Sequence, residues 1–239
     1  KTSKTINIAV VTADYLVEPL SILMTSILEN NHQQQAYTFY VIAETLTTRE
    51  QTLLRQVTSL YAADIQFIEA QVPSYLQPYD LKTRLLYYRT TLASLLPYKV
   101  KKVLYLDCDI LCTADLTRLW RVPLGQHLLG AVEDLKKRHR LEHMPIASQN
   151  TRFFNAGVML LNLTRWRQQK IAKQLQLRIK NQIKHHRTLR ITDALNLVLH
   201  DHWIQLHPEW NAQTALFIDP IFSSNPLRAN QLKAAFKSP

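Results

Sequence analysis

Hydrophobic and polar positions along this chain follow two alternating periods, which predict strands and helices in turn. Short apolar runs such as Ile6–Thr12 are typical of buried strands, whereas Pro19–Asn31 carries its apolar residues at the spacing of one helix face. Another helix is expected after Thr47 or Thr48, because Glu50 follows as in a capping box. The alternation predicts an α/β fold, with a parallel sheet that has helices on both faces.

The same pattern continues through the rest of the chain. Further strands are predicted at Tyr37–Ala43, Ile65–Ile68, Lys102–Leu106, His127–Val132, Ala156–Leu163 and Trp203–Leu206. Further helices are predicted at Thr83–Leu96 and Asp193–Leu199. No internal repeat and no linker-like stretch interrupts the pattern, so residues 1–239 are expected to form a single domain. With only 3 glycines and neither a GxGxxG nor a GxxxxGK[ST] motif, the chain has no glycine-rich phosphate loop.

Charge is strongly basic and unevenly placed. Lys and Arg number 29 against 18 Asp and Glu, a formal net charge of +11. Between Thr164 and Arg190 there are nine basic residues and no acidic one, and apolar residues recur at helical spacing from Ile171 to Ile183. This basic amphipathic helix has three interpretations: an ordinary solvated face, attraction to anionic lipid headgroups, or nucleic-acid binding. We expect no nucleic acid, because neither an aromatic platform nor a recognition motif accompanies the charge. A second basic cluster, Lys136–Arg140, could lie near an anionic ligand.

The two cysteines and the apolar runs bear on the compartment. Cys108 and Cys112 are four residues apart beside a predicted strand, a span of about 13 Å that exceeds the reach of a disulfide. Free thiols are typical of a reducing, cytosol-like compartment. No apolar run approaches the roughly 18 residues of a membrane span, and no apolar signal region follows Lys1. We therefore expect a cytoplasmic protein, and the basic helix leaves open a peripheral contact with the inner face of the membrane.

Two carboxylates provide the clearest candidate chemistry. Asp107 and Asp109 flank Cys108 directly after the predicted strand Lys102–Leu106. Ligands of open α/β sheets bind outside the carboxyl ends of the strands, and oxygen-rich sites there suit Mn²⁺ or Mg²⁺ together with substrate phosphates. The reaction such a site favours is departure of a nucleoside diphosphate. The same spacing also fits a solvated turn or a helix cap.

Several motifs around this pair identify a known family. In chain order they are Leu86-Tyr87-Tyr88-Arg89, Leu95-Leu96-Pro97, VLYLDCDIL, Asp115-Leu116, Leu119-Trp120, Gly130-Ala131-Val132-Glu133-Asp134, FNAGVMLLNL at 154–163, Trp166-Arg167, Asp193-Ala194-Leu195-Asn196, Pro208 and Trp210-Asn211. Together they resemble the family 8 glycosyltransferases, and the resemblance extends from Ile6 to Asn211. The resemblance implies the α/β fold of the GT-A type, in which a Rossmann-like, mostly parallel sheet is flanked by helices.

The resemblance implies transfer of a hexose from a UDP-sugar, with retention of anomeric configuration and with Mn²⁺ or Mg²⁺ as cofactor. By this likeness Asp107 and Asp109 are metal ligands, and Arg89 contacts the donor sugar and diphosphate. The implied nucleotide site comprises Thr12, Ala13, Asp14, Tyr15, Arg89, Asp107, Cys108 and Asp109. The implied sugar or acceptor site comprises Asp134, Asn155, Ala156, Thr192 and Asp193. Of all these residues, Arg89, Asp134 and Asp193 are the catalytic candidates. Trp166 and Trp210 are expected to pack in the core.

Three segments depart from the family pattern. Where the family has two acidic residues followed by Asn-Tyr, this chain reads Ala13-Asp14-Tyr15-Leu16. Where the family has D-Q-D-A-L-N, an acid and the glutamine are replaced by Ile191 and Thr192. The family's H-F-x-G-x-x-K-P-W segment, which supplies a histidine and a lysine, does not occur before Pro239, so we expect that segment to be missing.

These departures leave two main hypotheses. The first is an active transferase with an unusual donor pocket, acting on a bacterial cell-surface polysaccharide, a lipid-linked oligosaccharide or a glycoprotein. The second is a degenerate family member that binds nucleotide weakly and serves an active transferase as a non-catalytic partner. A nucleotidyltransferase of similar fold ranks last, because such enzymes use a glycine-rich first loop.

Overall fold

One mixed sheet forms the centre of the molecule. The structure, a computed structural model, describes residues 5–134, 152–185 and 190–213. Within these ranges seven strands pair in the order β3-β2-β1-β4-β6-β5-β7. They are β1 (Thr5–Val11), β2 (Ala36–Ala43), β3 (Asp64–Glu69), β4 (Lys102–Leu106), β5 (Leu129–Glu133), β6 (Phe154–Asn162) and β7 (Trp203–Gln205). The expected α/β architecture is confirmed.

Helices occupy the connections between the strands. In the described ranges they are α1 (Val17–Glu29), α2 (Thr48–Leu60), α3 (Leu81–Tyr88), α4 (Leu92–Leu95), α5 (Thr117–Arg121), α6 (Leu163–Gln168), α7 (Ile171–Lys184) and α8 (Ile191–Leu199). Short 3-10 helices form at Asp14–Leu16, Ser74–Leu76 and Pro208–Asn211. Helix α2 begins with the expected capping box, in which the Thr47 hydroxyl accepts from the Glu50 amide and the Glu50 carboxylate accepts from the Thr47 amide.

The sheet is parallel except at β6. Strands β3, β2, β1 and β4 run parallel to one another, and β5 and β7 also form a parallel pair. Strand β6 runs antiparallel to both of its neighbours, β4 and β5. Consequently the amino-terminal end of β6 lies beside the carboxyl ends of β4 and β5. Residues early in β6 thereby reach the edge of the sheet where α/β proteins bind ligands.

Each face of the sheet has its own hydrophobic core. Along β1, Ile8 and Val10 face a core completed by α1 and α5, whereas Ala9 and Val11 face a core completed by α3, α4, α6, α7 and α8. Trp166 is fully buried in the second core and donates its indole N–H to the Leu128 carbonyl, which confirms its expected packing role.

One predicted helix is broken in two. The pattern at Thr83–Leu96 predicted a continuous helix, but α3 ends at Tyr88 and α4 starts only at Leu92. The hydroxyls of Thr90 and Thr91 donate to the carbonyls of Tyr87 and Tyr88, and such local side-chain bonds compete with helix propagation. The break leaves Arg89 at the carboxyl end of α3, and its side chain reaches the edge of the sheet at which β4 ends.

Two further expectations concern the surface. Within the residues described, no helix combines the length and the apolar character required to cross a membrane. The basic cluster Lys136–Arg140 lies outside the described residues.

Candidate active site at the carboxyl ends of the strands

The site forms where β1 and β4 end side by side. These strands are parallel neighbours, with Ala9 opposite Tyr105, so the segment after β1 lies next to the aspartate pair that follows β4. The Cys108 thiol donates to the Val11 carbonyl over 3.1 Å and ties the two segments together. Burial, with Asp107 and Asp109 adding to it, raises the pKa of Cys108 to about 12. Cys108 therefore remains a neutral thiol between two carboxylates.

Asp107 is held in place through one of its two oxygens. Its Oδ1 accepts a hydrogen bond of 2.7 Å from the Tyr105 hydroxyl and lies 3.1 Å from Nη2 of Arg89. Burial raises the pKa of Tyr105 well above its usual value, so this hydroxyl stays protonated and acts as a donor. The side chain of Asp107 is 31% exposed. Its orientation is therefore fixed while its second oxygen remains available to a ligand.

Arg89 is a buried cation directed at this aspartate. Its Nη1 donates to the Ala156 carbonyl over 3.2 Å, and its guanidinium carbon lies 5.2 Å from the centre of the Tyr105 ring. Burial alone lowers the pKa of Arg89, but Tyr105, Asp107 and Asp109 outweigh burial and raise it. Its Nε is buried and has no hydrogen-bond partner among the described residues. An unpaired buried N–H is costly, by about 1–3 kcal/mol, and Arg89 does not itself line the cleft described below.

A second arginine fixes the helix that carries Arg89. Arg84 of α3 donates to both carboxylate oxygens of Glu44, at 2.7 and 3.0 Å, and the Tyr88 hydroxyl donates to the same carboxylate. Glu44 directly follows β2, so this ion pair anchors α3 to the carboxyl edge of the sheet. Glu44 and Arg84 were not predicted as site residues, because their ion pair joins residues 40 positions apart in the sequence.

The predicted nucleotide residues after β1 divide into buried and exposed groups. Thr12 and Ala13 are buried, and the Thr12 amide donates to the Ile42 carbonyl at the end of β2. Asp14 is exposed and accepts from the Tyr15 amide, and the Tyr15 ring is 59% exposed. None of these four residues lines the cleft that contains Asp107 and Asp109.

A cleft of about 770 Å³ opens beside the aspartates. Of the predicted site residues, Asp107, Asp109 and Asn155 line it. Its other walls come from the loop after β4, from α5, from Gly157 in β6 and from the segment Glu209–Gln213. Gly157 eases a close approach, because a Cβ atom there would lie 3.1 Å from both Asp107 Oδ2 and Asn155 Oδ1 and would press on both side chains. The glycine therefore makes room for the free carboxylate oxygen.

A polar network centred on Asn155 lies beside Asp107. The side-chain Nδ2 of Asn155 donates to Asp134 Oδ2 over 3.3 Å. The Oδ1 of Asn155 accepts from the backbone N–H of Gly157 and from Asn211 Nδ2. Asp134 is buried, and its amide donates to the Phe153 carbonyl. Asn211 was not predicted as a site residue, although the Trp210-Asn211 pair was noted as a motif. Trp210 was expected in the core, but it is only partly buried and lines the cleft.

The remaining predicted residues lie on α8. Asp193 is in the first turn, 3.9 Å from Nη1 of Arg190, and Thr192 precedes it. Neither residue lines the cleft that contains Asp107. Ile191, at a position where the family carries an acid, is 2% exposed and packs into the core. The apolar replacement is thus part of the core at the start of α8.

Asn196 fastens α8 to β6 beside Asn155. Its Oδ1 accepts from the Phe154 amide at 2.7 Å, and its Nδ2 donates to the carbonyls of Phe154 and Thr192. Both backbone groups of Phe154 are thereby satisfied by one buried side chain. The orientation of Asn155, the next residue, depends on this clamp.

We expect Asn196→Ala to lower the free energy of unfolding by about 3 kcal/mol, because two buried backbone groups lose their partner. Thermal unfolding followed by circular dichroism measures the loss. The control Asn181→Ala removes an exposed amide on α7 and should change stability little. Equal melting temperatures for the wild type and Asn196→Ala would show that the clamp contributes nothing.

The aspartate pair fits a divalent cation. Asp107 Oδ2 and the exposed carboxylate of Asp109 face a cleft, and hard oxygen ligands are what Mn²⁺ and Mg²⁺ take. Across the described ranges, no cluster of three or more His, Cys, Asp or Glu side chains forms a complete metal site. Two protein carboxylates together with substrate phosphates and water match the way Mg²⁺ is usually bound.

Comparison with solved structures identifies the fold. A galactosyltransferase LgtC in complex with donor and acceptor sugar analogues matches with a TM-score of 0.81, at 23% identity, over 96% of this chain and 84% of that chain. An apo bifunctional glycosyltransferase, WbbM, matches with a TM-score of 0.77, at 19% identity, over 99% of this chain and 45% of that chain. The fold is that of a GT-A glycosyltransferase.

Sequence comparison then places the chain within this class. The model of glycosyl transferase family 8 matches residues 7–234, and the chain belongs to this family. General stress protein A of Bacillus subtilis is 30% identical over 204 residues, which are 82% of this chain and 70% of that protein. A lipopolysaccharide 1,2-glucosyltransferase of Escherichia coli is 29% identical over 163 residues, 64% of this chain and 46% of that protein. The chain spans about half, 52%, of another relative, a putative glycosyltransferase of Haemophilus influenzae. The resemblance read from the motifs is confirmed.

Proposed function

We propose that this protein is a retaining glycosyltransferase that moves a hexose, glucose or galactose, from a UDP-sugar to a glycan, glycolipid or glycoprotein. The observation that carries the proposal is the meeting of three features at one sheet edge. Asp107 and Asp109 face a cleft, the buried Arg89 is directed at the first of them, and Asn155 lines the same cleft. Such a site can hold a charged diphosphate at one end and a neutral polar sugar at the other.

Asp107 and Asp109 are the residues that would hold Mn²⁺ or Mg²⁺. When bound, the cation neutralises charge that builds on the departing diphosphate. Tyr105 and Arg89 keep Oδ1 of Asp107 occupied, so Oδ2 is the oxygen directed to the ligand. Arg89 is proposed to add a fixed positive charge beside the diphosphate, through its contact with Asp107.

Asn155 and Asp134 are proposed to orient the sugar through its hydroxyl groups. In the transfer, the bond between the anomeric carbon and the UDP oxygen breaks, and a bond to the acceptor oxygen forms on the same face. The acceptor proton passes to the departing phosphate oxygen. The Asp134 carboxylate already accepts a hydrogen bond from Asn155, and the Asp193 carboxylate pairs with Arg190. These contacts suit both aspartates to positioning rather than to nucleophilic attack. A glycosyl adduct trapped on either aspartate by mass spectrometry would contradict this same-face step.

The acceptor and the cellular compartment are proposed from less direct observations. One relative is a lipopolysaccharide 1,2-glucosyltransferase, which favours a bacterial cell-surface polysaccharide or its lipid-linked precursor as acceptor. The thiols of Cys108 and Cys112 are both free, as expected of a protein that works in the cytoplasm.

A degenerate, non-catalytic family member is the second candidate. It is favoured by the buried Ile191 and Ala13, which stand where the family carries acids and supply no polar group to a ligand. Loss of one well-aimed polar group at a reacting centre costs about 3 kcal/mol, or roughly a hundredfold in rate.

Calorimetric titration separates the two candidates. We expect UDP to bind the protein in the presence of Mn²⁺ and to lose most of its affinity when EDTA removes the metal. Absence of metal-dependent UDP binding would refute the transferase proposal. Metal-dependent binding without release of hexose from UDP-glucose or UDP-galactose, tested with water and with glycan acceptors, would instead support the non-catalytic partner.

A further inference from the structure

Helix α7 presents a narrow basic stripe to the outside of the molecule. Lys173, Leu177, Lys180 and Lys184 recur at intervals of four, three and four residues and are all exposed. At 3.6 residues per turn they fall within an arc of about 60° and extend over about 16 Å. We call these four residues the α7 stripe.

The α7 stripe cannot turn inwards. On the opposite side of the helix, Ile171, Leu175 and Ile179 are buried in the core shared with α6 and α8. Rotating the helix to cover the lysines would expose these three apolar side chains to water, which is strongly unfavourable. The fold therefore commits the stripe to the surface.

The stripe combines uncompensated charge with an exposed apolar centre. No carboxylate of the described residues forms an ion pair with any of its three lysines. Leu177, flanked by Lys173 and Lys180, is 57% exposed. Lysines that surround an exposed aliphatic side chain match an anionic bilayer, in which the ammonium groups meet phosphates and the leucine enters the headgroup boundary.

We propose that the α7 stripe is a docking surface for anionic phospholipid bilayers. Lipid binding by this surface does not require the proposed transferase activity, but its position bears on where an acceptor would lie. Helix α7 packs directly against α8, which carries Thr192 and Asp193, and packed helices are about 10 Å apart. A docked bilayer thus lies one helix layer from α8, which suits an acceptor that is itself held in the membrane.

Nucleic acid fits this surface less well. The central exposed side chain is aliphatic, whereas sequence-tolerant nucleic-acid sites interleave basic residues with aromatic platforms on which bases stack. Among the residues that the structure describes, the ring that contacts a lysine of the stripe is Tyr75, which lies 4.7 Å from Nζ of Lys180 and is itself only partly exposed.

Sedimentation with lipid vesicles tests the docking surface. The wild type should bind vesicles of phosphatidylcholine mixed with phosphatidylglycerol, should not bind phosphatidylcholine alone, and should be released by high salt. Each lysine near an anionic surface contributes roughly fivefold, so Lys173→Gln, Lys180→Gln and Lys184→Gln together should weaken binding about a hundredfold. Leu177→Gln should weaken it several-fold at unchanged net charge.

The matched control removes the same charge elsewhere. Arg49→Gln, Lys82→Gln and Arg121→Gln combined change exposed cations outside α7 and should leave vesicle binding within about twofold of the wild type. Circular dichroism verifies that every variant is folded. Equal losses in the stripe and control variants would overturn the proposal, as would stripe substitutions that abolish binding to duplex DNA but not to vesicles. An Asp107→Asn, Asp109→Asn protein should still bind vesicles, which separates this proposal from the proposed transferase activity.

Discussion

Replacing Asp107 and Asp109 together by asparagine is expected to abolish metal-dependent binding of UDP, with a loss of at least about a hundredfold in affinity. The asparagine at 107 retains one oxygen to which Tyr105 and Arg89 can donate, so the local fold is preserved. The position of Oδ2, next to Gly157, becomes an NH₂ group that cannot bind a cation. Calorimetric titration of UDP with Mn²⁺ measures the loss.

The control for this pair is Asp201→Asn, which changes an exposed carboxylate outside the cleft. It should bind UDP as the wild type does. The double variant should unfold at a lower temperature than the wild type, because the buried Arg89 loses the negative charge with which it pairs, so circular dichroism at the titration temperature verifies that the variant is folded. Undiminished metal-dependent UDP binding by the double variant would mean that the aspartate pair is only a solvated turn.

Arg89→Lys is expected to weaken UDP-sugar binding about 30-fold at nearly constant charge. A lysine has a single nitrogen, so it cannot contact the Ala156 carbonyl and Asp107 Oδ1 while also directing an N–H at a phosphate. The lost charge-assisted hydrogen bonds amount to about 2 kcal/mol. Titration with UDP-glucose and UDP-galactose in Mn²⁺ measures the effect, and unfolding curves report stability in parallel.

Arg84→Lys provides the comparison, because it removes a similar two-pronged contact one turn earlier on α3. Arg84 binds Glu44 and the Tyr79 carbonyl, outside the cleft, so its replacement should lower stability with a much smaller effect on binding. If the two arginine variants lose stability equally and neither loses affinity for the UDP-sugar, Arg89 has only a structural role.

Arg89 also shows where sequence reasoning reached its limit. The motif around it identified the residue, but the continuous apolar pattern at Thr83–Leu96 predicted one helix. The break depends on Thr90 and Thr91 capping the preceding turn, a local competition that apolar periodicity does not record. Without that break the guanidinium would not stand at the helix end from which it reaches Asp107.

The polar network illustrates the same limit in three dimensions. Asn155 and Asp134 were predicted from their motifs, but Asn211 received no role although it donates to Asn155 across 56 residues of sequence. Strand β6 runs antiparallel to β4, and this reversal brings Asn155 and Gly157 to the edge where β4 ends. Short-range patterns cannot report the direction in which a strand enters a sheet.

The sequence by itself determined the α/β class, most of its strands and helices, the aspartate pair and membership of the family, because these depend on local periodicity and on contiguous motifs. Only the tertiary structure decided that one oxygen of Asp107 is held by Arg89 and Tyr105 while the other faces a cleft. It also decided that Ile191 is part of the core. Those outcomes depend on contacts between residues far apart in the chain, whose geometry is set only when the two faces of the sheet are packed.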